Sequence, residues 1–309
     1  MAARRAVARF PEVWRLRLPF AVQLLGYPMA ITVTCAQCGQ GYRVKEHLAG
    51  KSARCKKCGH AMPIPALQPP PQCEPTESGG MVLRHQPRQA EFEPAFGDPD
   101  AIERIGAHIE KHLGKVEGVF HEVVSDLVHL DVHWVGPSEQ RPFHTLITTG
   151  MSDRPMTVPE GTEELAFAEL LICLPSSWPL SHEAFQDERN YWPVRWLKQL
   201  ARLPHEYQTW LGLGHTVPNG DPAEPFADNT KMCCWLIVPP VLVDDDFSPL
   251  AIDEEKQVHF YAAIPLYREE MEFKLKRGLE DLVDRLSAEG VTEVLDLQRK
   301  NTCKRGLWP

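Results

Sequence analysis

VHLDVHWV, residues 128–135, is the stretch on which the fold turns. Successive side chains of an extended chain point to opposite sides. Val128, Leu130, Val132 and Trp134 therefore share one face, and His129, Asp131 and His133 the other. This predicts a strand with one buried and one polar face. Upstream, DPDAIERIGAHIEKHLG (98–114) has apolar residues at 102, 105, 109 and 113, the spacing of one helix face. Asp98 or Asp100 would start that helix and Gly114 would stop it. Downstream, FHTLITT (143–149) and AFAELLICL (166–174) read as strands, the second apolar enough to be central. Pro193 suits the first turn of a helix WPVRWLKQLARL ending before Pro204. KMCCWLIVPP and VHFYAAIPL give two more strands. A long helix follows over 268–290, with a stripe of Met271, Leu275, Leu279, Leu282 and Leu286. Its exposed side would carry the i,i+4 pairs Glu270–Lys274 and Glu272–Lys276, and Gly290 would cap it. Helix, several strands, helix, strands, helix is no regular βαβ alternation. The expected class is α+β, a mixed sheet with packed helices.

Outside this body, composition divides the 309 residues further. Residues 1–30 form a basic tail, and Met29 is an alternative start that would leave 1–28 untranslated. The apolar run Leu18–Ile31 is interrupted by Pro19, Gln23, Gly26 and Pro28, too short and broken for a spanning helix. Residues 31–65 hold four cysteines. Nine of the 28 prolines fall between Pro63 and Pro99, so 66–97 reads as an extended proline-rich linker. The globular domain spans 98–305. Residues 66–309 carry 22 basic against 40 acidic side chains, a net −18. Such a body suits neither nucleic acid nor an anionic membrane. Nine cysteines, with no disulfide framework, point to reduced, cytoplasmic usage.

Cys35-x2-Cys38 and Cys55-x2-Cys58, sixteen residues apart, have the spacing of a zinc ribbon. Each pair is followed by a glycine, Gly39 or Gly59, where the turn needs a positive φ. Four thiolates leave no open position, so the expected zinc is structural. The local excess of basic residues invites a nucleic-acid role for the ribbon, but four thiolates on Zn²⁺ carry −2, which Arg54, Lys56 and Lys57 offset. Tyr42 is the ribbon's one aromatic residue, a poor stacking platform.

The body shows no catalytic signature. GLGHTVPNGDP (212–222) lacks phosphate-loop and dinucleotide spacing, and Asn219-Gly220 reads as a tight turn. GMS at 150–152 has no nucleophile-elbow frame. Cys233 and Cys234, neighbours on a strand, would point to opposite faces. An enzyme would draw on His129, Asp131, His133 or His215, with His121 and His144 as further members of a cluster. Trp192, Trp196, Trp210, Tyr191 and Tyr207 crowd one segment with Arg195 and Arg202, residue types that fill cores or anchor interfaces.

YWPVRWLKQLARLP, TWLGLGHTVPNGDP, PFADNT, FYAAIPLYREEMEFKLKRG and DLQRKNTCK, in that order, resemble the suppressor-of-fused domain family over roughly residues 100–305. The resemblance implies an α+β fold, no enzymatic activity and function by binding. Eukaryotic members restrain a transcription factor; bacterial ones are proposed immunity proteins that neutralise a toxin. The further C-terminal domain of eukaryotic members has no counterpart here, and the ribbon and linker are additions to the bacterial module. An acidic binder suits a basic partner. The expected partner-binding residues are Trp210, Gly214, His215 and Arg195, with Asp244-Asp245-Asp246 as an alternative face. A regulator touching DNA through the ribbon while the body binds protein is a further alternative.

Overall fold

The computed structural model describes residues 31–304 apart from 46–47, 66–71, 87 and 89–90. The basic tail lies outside the described residues. Two short antiparallel pairs open the chain, β1 (Ile31–Thr34) with β2 (Gly41–Val44), and β3 (Ser52–Arg54) with β4 (Ala61–Pro63). Ile31, Val33, Met62 and Ile64 close over Cys35 and Cys55 as a minimal core.

Residues 66–97, expected to be an extended linker, contain a hairpin of β5 (Gln72–Pro75) and β6 (Met81–Arg84). Thr76 turns the chain: its carbonyl receives the Gly79 N–H and its hydroxyl the Gly80 N–H. Gly79 supplies the positive φ of +84°. The hairpin is docked as well as paired. Ser78 N–H reaches the Leu275 carbonyl, and Arg84 bridges Glu74 and Asp221.

The body is one eight-stranded mixed sheet. Its strands are β7 (Val116–Phe120), β8 (Asp131–Val135), β9 (Phe143–Thr149), β10 (Phe167–Pro175), β11 (Thr216–Pro218), β12 (Met232–Val238), β13 (Leu250–Ala251) and β14 (Gln257–Tyr267). In space the order is 11-12-14-10-9-8-7, with β13 on β14. β10 runs parallel to β14, and the other pairs are antiparallel.

Helices cover both faces. On one lies α2 (Glu188–Glu206), whose Trp192, Trp196, Leu197 and Leu200 meet Leu170, Ile172, Trp235 and Ile237. On the other lie α1 (Pro99–Leu113) and α4 (Leu279–Ala288), against Leu171, Cys173, Leu236 and Ala262. Alternate residues of β10 and β12 therefore enter different cores. This is why those strands read as continuous apolar runs. It also corrects the half-solvated reading of β8. Val128, Leu130 and Val132 are buried and Trp134 partly so, but Asp131 and His133 are buried too. The face expected to meet water is roofed by α1, which brings Gly106 close to His133.

Two helix boundaries differ from expectation. α2 starts at Glu188, capped by the Asp187 side chain, and runs through both Pro193 and Pro204. A proline in a helix leaves the carbonyl four residues back without its N–H. For Pro193 that carbonyl is Arg189's, and the Asn229 side-chain amide donates to it at 3.0 Å. The C-terminal helix breaks at Gly278, φ +96°, into α3 (Arg268–Arg277) and α4. Glu270 and Lys274 do not form an exposed pair. Glu270 is fully buried against Arg299, and Lys274 reaches the Thr216 hydroxyl.

Candidate functional site

The four cysteines converge. Cys35 follows β1 and Cys55 follows β3, and the two turns repeat one hydrogen-bond pattern. Gly39 N–H meets the Cys35 carbonyl and Gly59 N–H the Cys55 carbonyl. Cys35 N–H meets the Gln40 carbonyl and Cys55 N–H the His60 carbonyl. Gly39 and Gly59 take φ of +69° and +76°. The sulfurs of Cys35 and Cys58 are 3.5 Å apart, as are those of Cys38 and Cys55, and all four lie within 4.8 Å of one another. Four sulfurs about 2.3 Å from one tetrahedral ion would be about 3.8 Å apart. The cluster can hold a metal ion such as zinc with little movement. Tyr42 adds a contact that the spacing did not signal. Its hydroxyl is 3.1 Å from Cys55 Sγ and accepts the Lys57 N–H. Arg43 of the same strand pairs with Glu163 of the body at 2.6 Å.

Three of the four expected partner-binding residues come together. Gly214 N–H donates to the Ile237 carbonyl and Ile237 N–H to the His215 carbonyl, which lays the loop along β12. Gly214 has φ +81°, and a Cβ there would stand 2.8 Å from Leu279. The His215 ring lies edge-on to Trp210, centroids 4.3 Å apart. Burial, with Lys274 nearby, pushes the His215 imidazole down to about 4. His215 thus holds the loop together as a neutral ring, and Trp210 offers a half-buried indole beside it. Arg195 is engaged elsewhere, on α2, with Glu188 and Gln199.

The histidine–aspartate cluster is a closed network. Asp131 receives His121 Nδ1 at 2.9 Å and faces His129 Nε2 at 3.4 Å. Ser125 Oγ contacts His129 Nδ1 at 2.8 Å and Glu122, whose two carboxylate oxygens both accept from Arg202 Nη2. The Ser125 hydroxyl has one proton, which goes to Glu122 or to His129 according to the tautomer of that ring. His144 is apart from the cluster, accepting the Trp134 indole N–H.

Sequence reasoning passed over three other groupings. Glu169, fully buried, accepts from the Thr148 hydroxyl and from both the N–H and hydroxyl of Ser152. Next to it, burial and the charge of Glu169 push the Asp153 carboxyl up to about 7. Glu270 takes Arg299, Tyr267 N–H and the Thr302 N–H and hydroxyl, tying the C-terminal segment to α3. Phe92, Phe96, Val123 and Val124 are large exposed apolar residues, Phe96 and Val123 at 89% and 98%. Residues 93–95 pair with 125–127 across one isolated antiparallel bridge. A lone pattern of strands and turns gives no hint of such long-range neighbours.

The family model for suppressor of fused protein matches residues 126–300. No curated protein matches the chain. Among solved structures, a suppressor of fused homologue from Neisseria gonorrhoeae is similar at 18% identity and TM-score 0.49, over 68% of this chain and all of that one. The Sufu–Fu complex is similar at 13% identity and TM-score 0.46, over 68% of this chain and 93% of that one. Drosophila Suppressor of Fused follows at 13% and 0.43, over 65% of this chain and 50% of that one.

Proposed function

The chain belongs to the suppressor of fused protein family, and from that membership we propose that it acts by binding another protein and restraining it, without catalysing a reaction. The family match over 126–300 carries this reading. Most of the histidine–aspartate cluster accords with it, since Asp131, His121, Ser125, Glu122 and Arg202 bond to one another, while both His133 ring nitrogens are buried without a partner. The partner class is a basic protein, either a toxin neutralised by an immunity protein or a target held by a regulator. A net charge of −18 over 66–309 favours it through electrostatic steering. The four cysteines hold one structural zinc, which folds residues 31–65 as a unit distinct from the body at 98–305. The cysteine usage of the sequence accords with a cytoplasmic protein, and among the described residues no helix is long and apolar enough to cross a membrane.

The binding surface centres on the loop of Trp210, Gly214 and His215, and Arg195, held by Glu188 and Gln199 on α2, is not part of it. The exposed group Phe92, Phe96, Val123 and Val124 is the second face, favoured by its apolar exposure. Affinity purification from native cells, with and without residues 31–65, identifies the partner. Titration then compares Trp210→Ala and His215→Ala with Phe96→Asp, each checked for an unchanged melting temperature. Loss of at least tenfold in affinity, about 1.4 kcal/mol, in the first two places the interface on the loop. The same loss in Phe96→Asp alone moves it to the second face. Unchanged binding in all three overturns both.

A further inference from the structure

Away from these groupings, His112, Asp244 and Asp246 meet at the end of α1. His112 lies in the last turn of the helix, and the two aspartates come from the loop between β12 and β13. The ligand atoms of the three lie within 4.8 Å of one another. His112 Nδ1 is 3.7 Å from Asp246 Oδ1 and 4.0 Å from Asp244 Oδ2. Both distances are too long for hydrogen bonds. The histidine side chain is only 5% exposed, yet its Nδ1 faces two carboxylates that are each 75% exposed. Its Nε2 is buried without a hydrogen-bond partner. Among the described residues no lysine or arginine pairs with Asp244 or Asp246, although Asp245 adds a third acid between them.

We infer that His112, Asp244 and Asp246 form a binding site for one divalent transition-metal cation. Imidazole with two carboxylates is a donor set suited to Zn²⁺ and its first-row neighbours. A cation about 2.1 Å from each ligand holds them roughly 3.0–3.5 Å apart. From 3.7 and 4.0 Å this takes up to about 1 Å of closure, which two exposed aspartates supply by side-chain rotation.

The parts that must stay still are fixed. His112 is held against His108, centroids 4.5 Å, and Phe247, 5.8 Å. The acidic loop is pinned before Asp244, where Glu293 Oε1 accepts the Val241 and Leu242 N–H groups and Arg141 reaches the Leu242 carbonyl. It is pinned after Asp246 as well, where Phe247 N–H donates to the Asp244 carbonyl. A helix C-terminus carries negative partial charge, which adds to the attraction for a cation. Three protein ligands leave positions open to solvent, so this site differs in kind from the closed four-thiolate cluster.

The experiment is a Zn²⁺ titration by calorimetry of the full chain already carrying one zinc per molecule, with chelator-calibrated free metal. The wild type should take up a second equivalent saturably. His112→Gln, Asp244→Asn and Asp246→Asn should each weaken that equivalent at least tenfold and leave the first one untouched. Melting temperatures of the three variants without added metal should match the wild type. Addition of Zn²⁺ should then raise the melting temperature of the wild type and not of the variants. No saturable second equivalent, or one equally strong in all three variants, would overturn the site. A second equivalent lost instead on Cys38→Ser would assign it to the cysteine cluster and overturn the site equally.

Discussion

Asp153 departs far from the chemistry of a free aspartate. In the folded chain its carboxyl is raised from 3.8 to about 7, first by burial and then by the charge of Glu169. Its Oδ2 accepts the Asp98 N–H, but its Oδ1 is buried without a partner. A carboxyl raised on folding binds its proton more tightly in the native state, so stability falls as pH rises. The loss accumulates from about pH 4, where the unfolded chain begins to ionise, to about pH 7. Asp153→Asn keeps an oxygen for Asp98 and removes the charge. Its melting temperature should exceed the wild type's at pH 8 and approach it at pH 4. Parallel melting curves for the two proteins across that window would refute the assignment. Nothing in the string MSDRP announces this. Asp153 is perturbed by Glu169, sixteen residues away in sequence and brought close only by the sheet.

Elements were legible where a local signal and the tertiary environment agree. α1 reads directly, because Asp98 accepts the Asp100 and Ala101 N–H groups and Ile105, Ile109 and Leu113 are buried, as the spacing demands. Of the expected cysteine turns, both glycines have the φ the pattern called for. Where a distant partner overrides a local rule, reading fails. Proline signalled the start of α2, yet Pro193 stands in its second turn because Asn229 serves the Arg189 carbonyl. The stripe from Met271 to Leu286 hid the break at Gly278, since an apolar periodicity does not report the φ of one residue between its members. Asn229→Ala tests the first of these directly. It leaves the Arg189 carbonyl without that donor, which costs about 1 kcal/mol. For a body of this size the melting temperature should fall by roughly 2–4 °C. No change would mean that another donor, or solvent, satisfies the carbonyl.

The whole molecule joins two kinds of stability. The body buries both faces of an eight-stranded sheet and needs no metal to account for its core. Among the described residues of 31–65 six are buried, two of them cysteines, too few to fold such a segment by burial alone. Structural zinc contributes on the order of 10 kcal/mol to units of this size, so removing one ligand should unfold the segment. Arg43–Glu163 links the two parts through side chains that are 34% and 49% exposed, and such a pair contributes at most about 1 kcal/mol. Cys55→Ser should therefore bind no stoichiometric zinc at the cysteines and lose amide protection over 31–65 in hydrogen exchange. Protection of β9, β10, β12 and β14, and the melting temperature of the body, should stay as in the wild type. The substitution also removes the sulfur that Tyr42 contacts, so Tyr42→Phe serves as the control, retaining zinc and protection over 31–65. If the body's protection falls together with that of the cysteine segment, the two are one cooperative unit. The metal would then stabilise the binding domain itself, through contacts beyond the exposed pair, and the segment could not be removed without losing the partner.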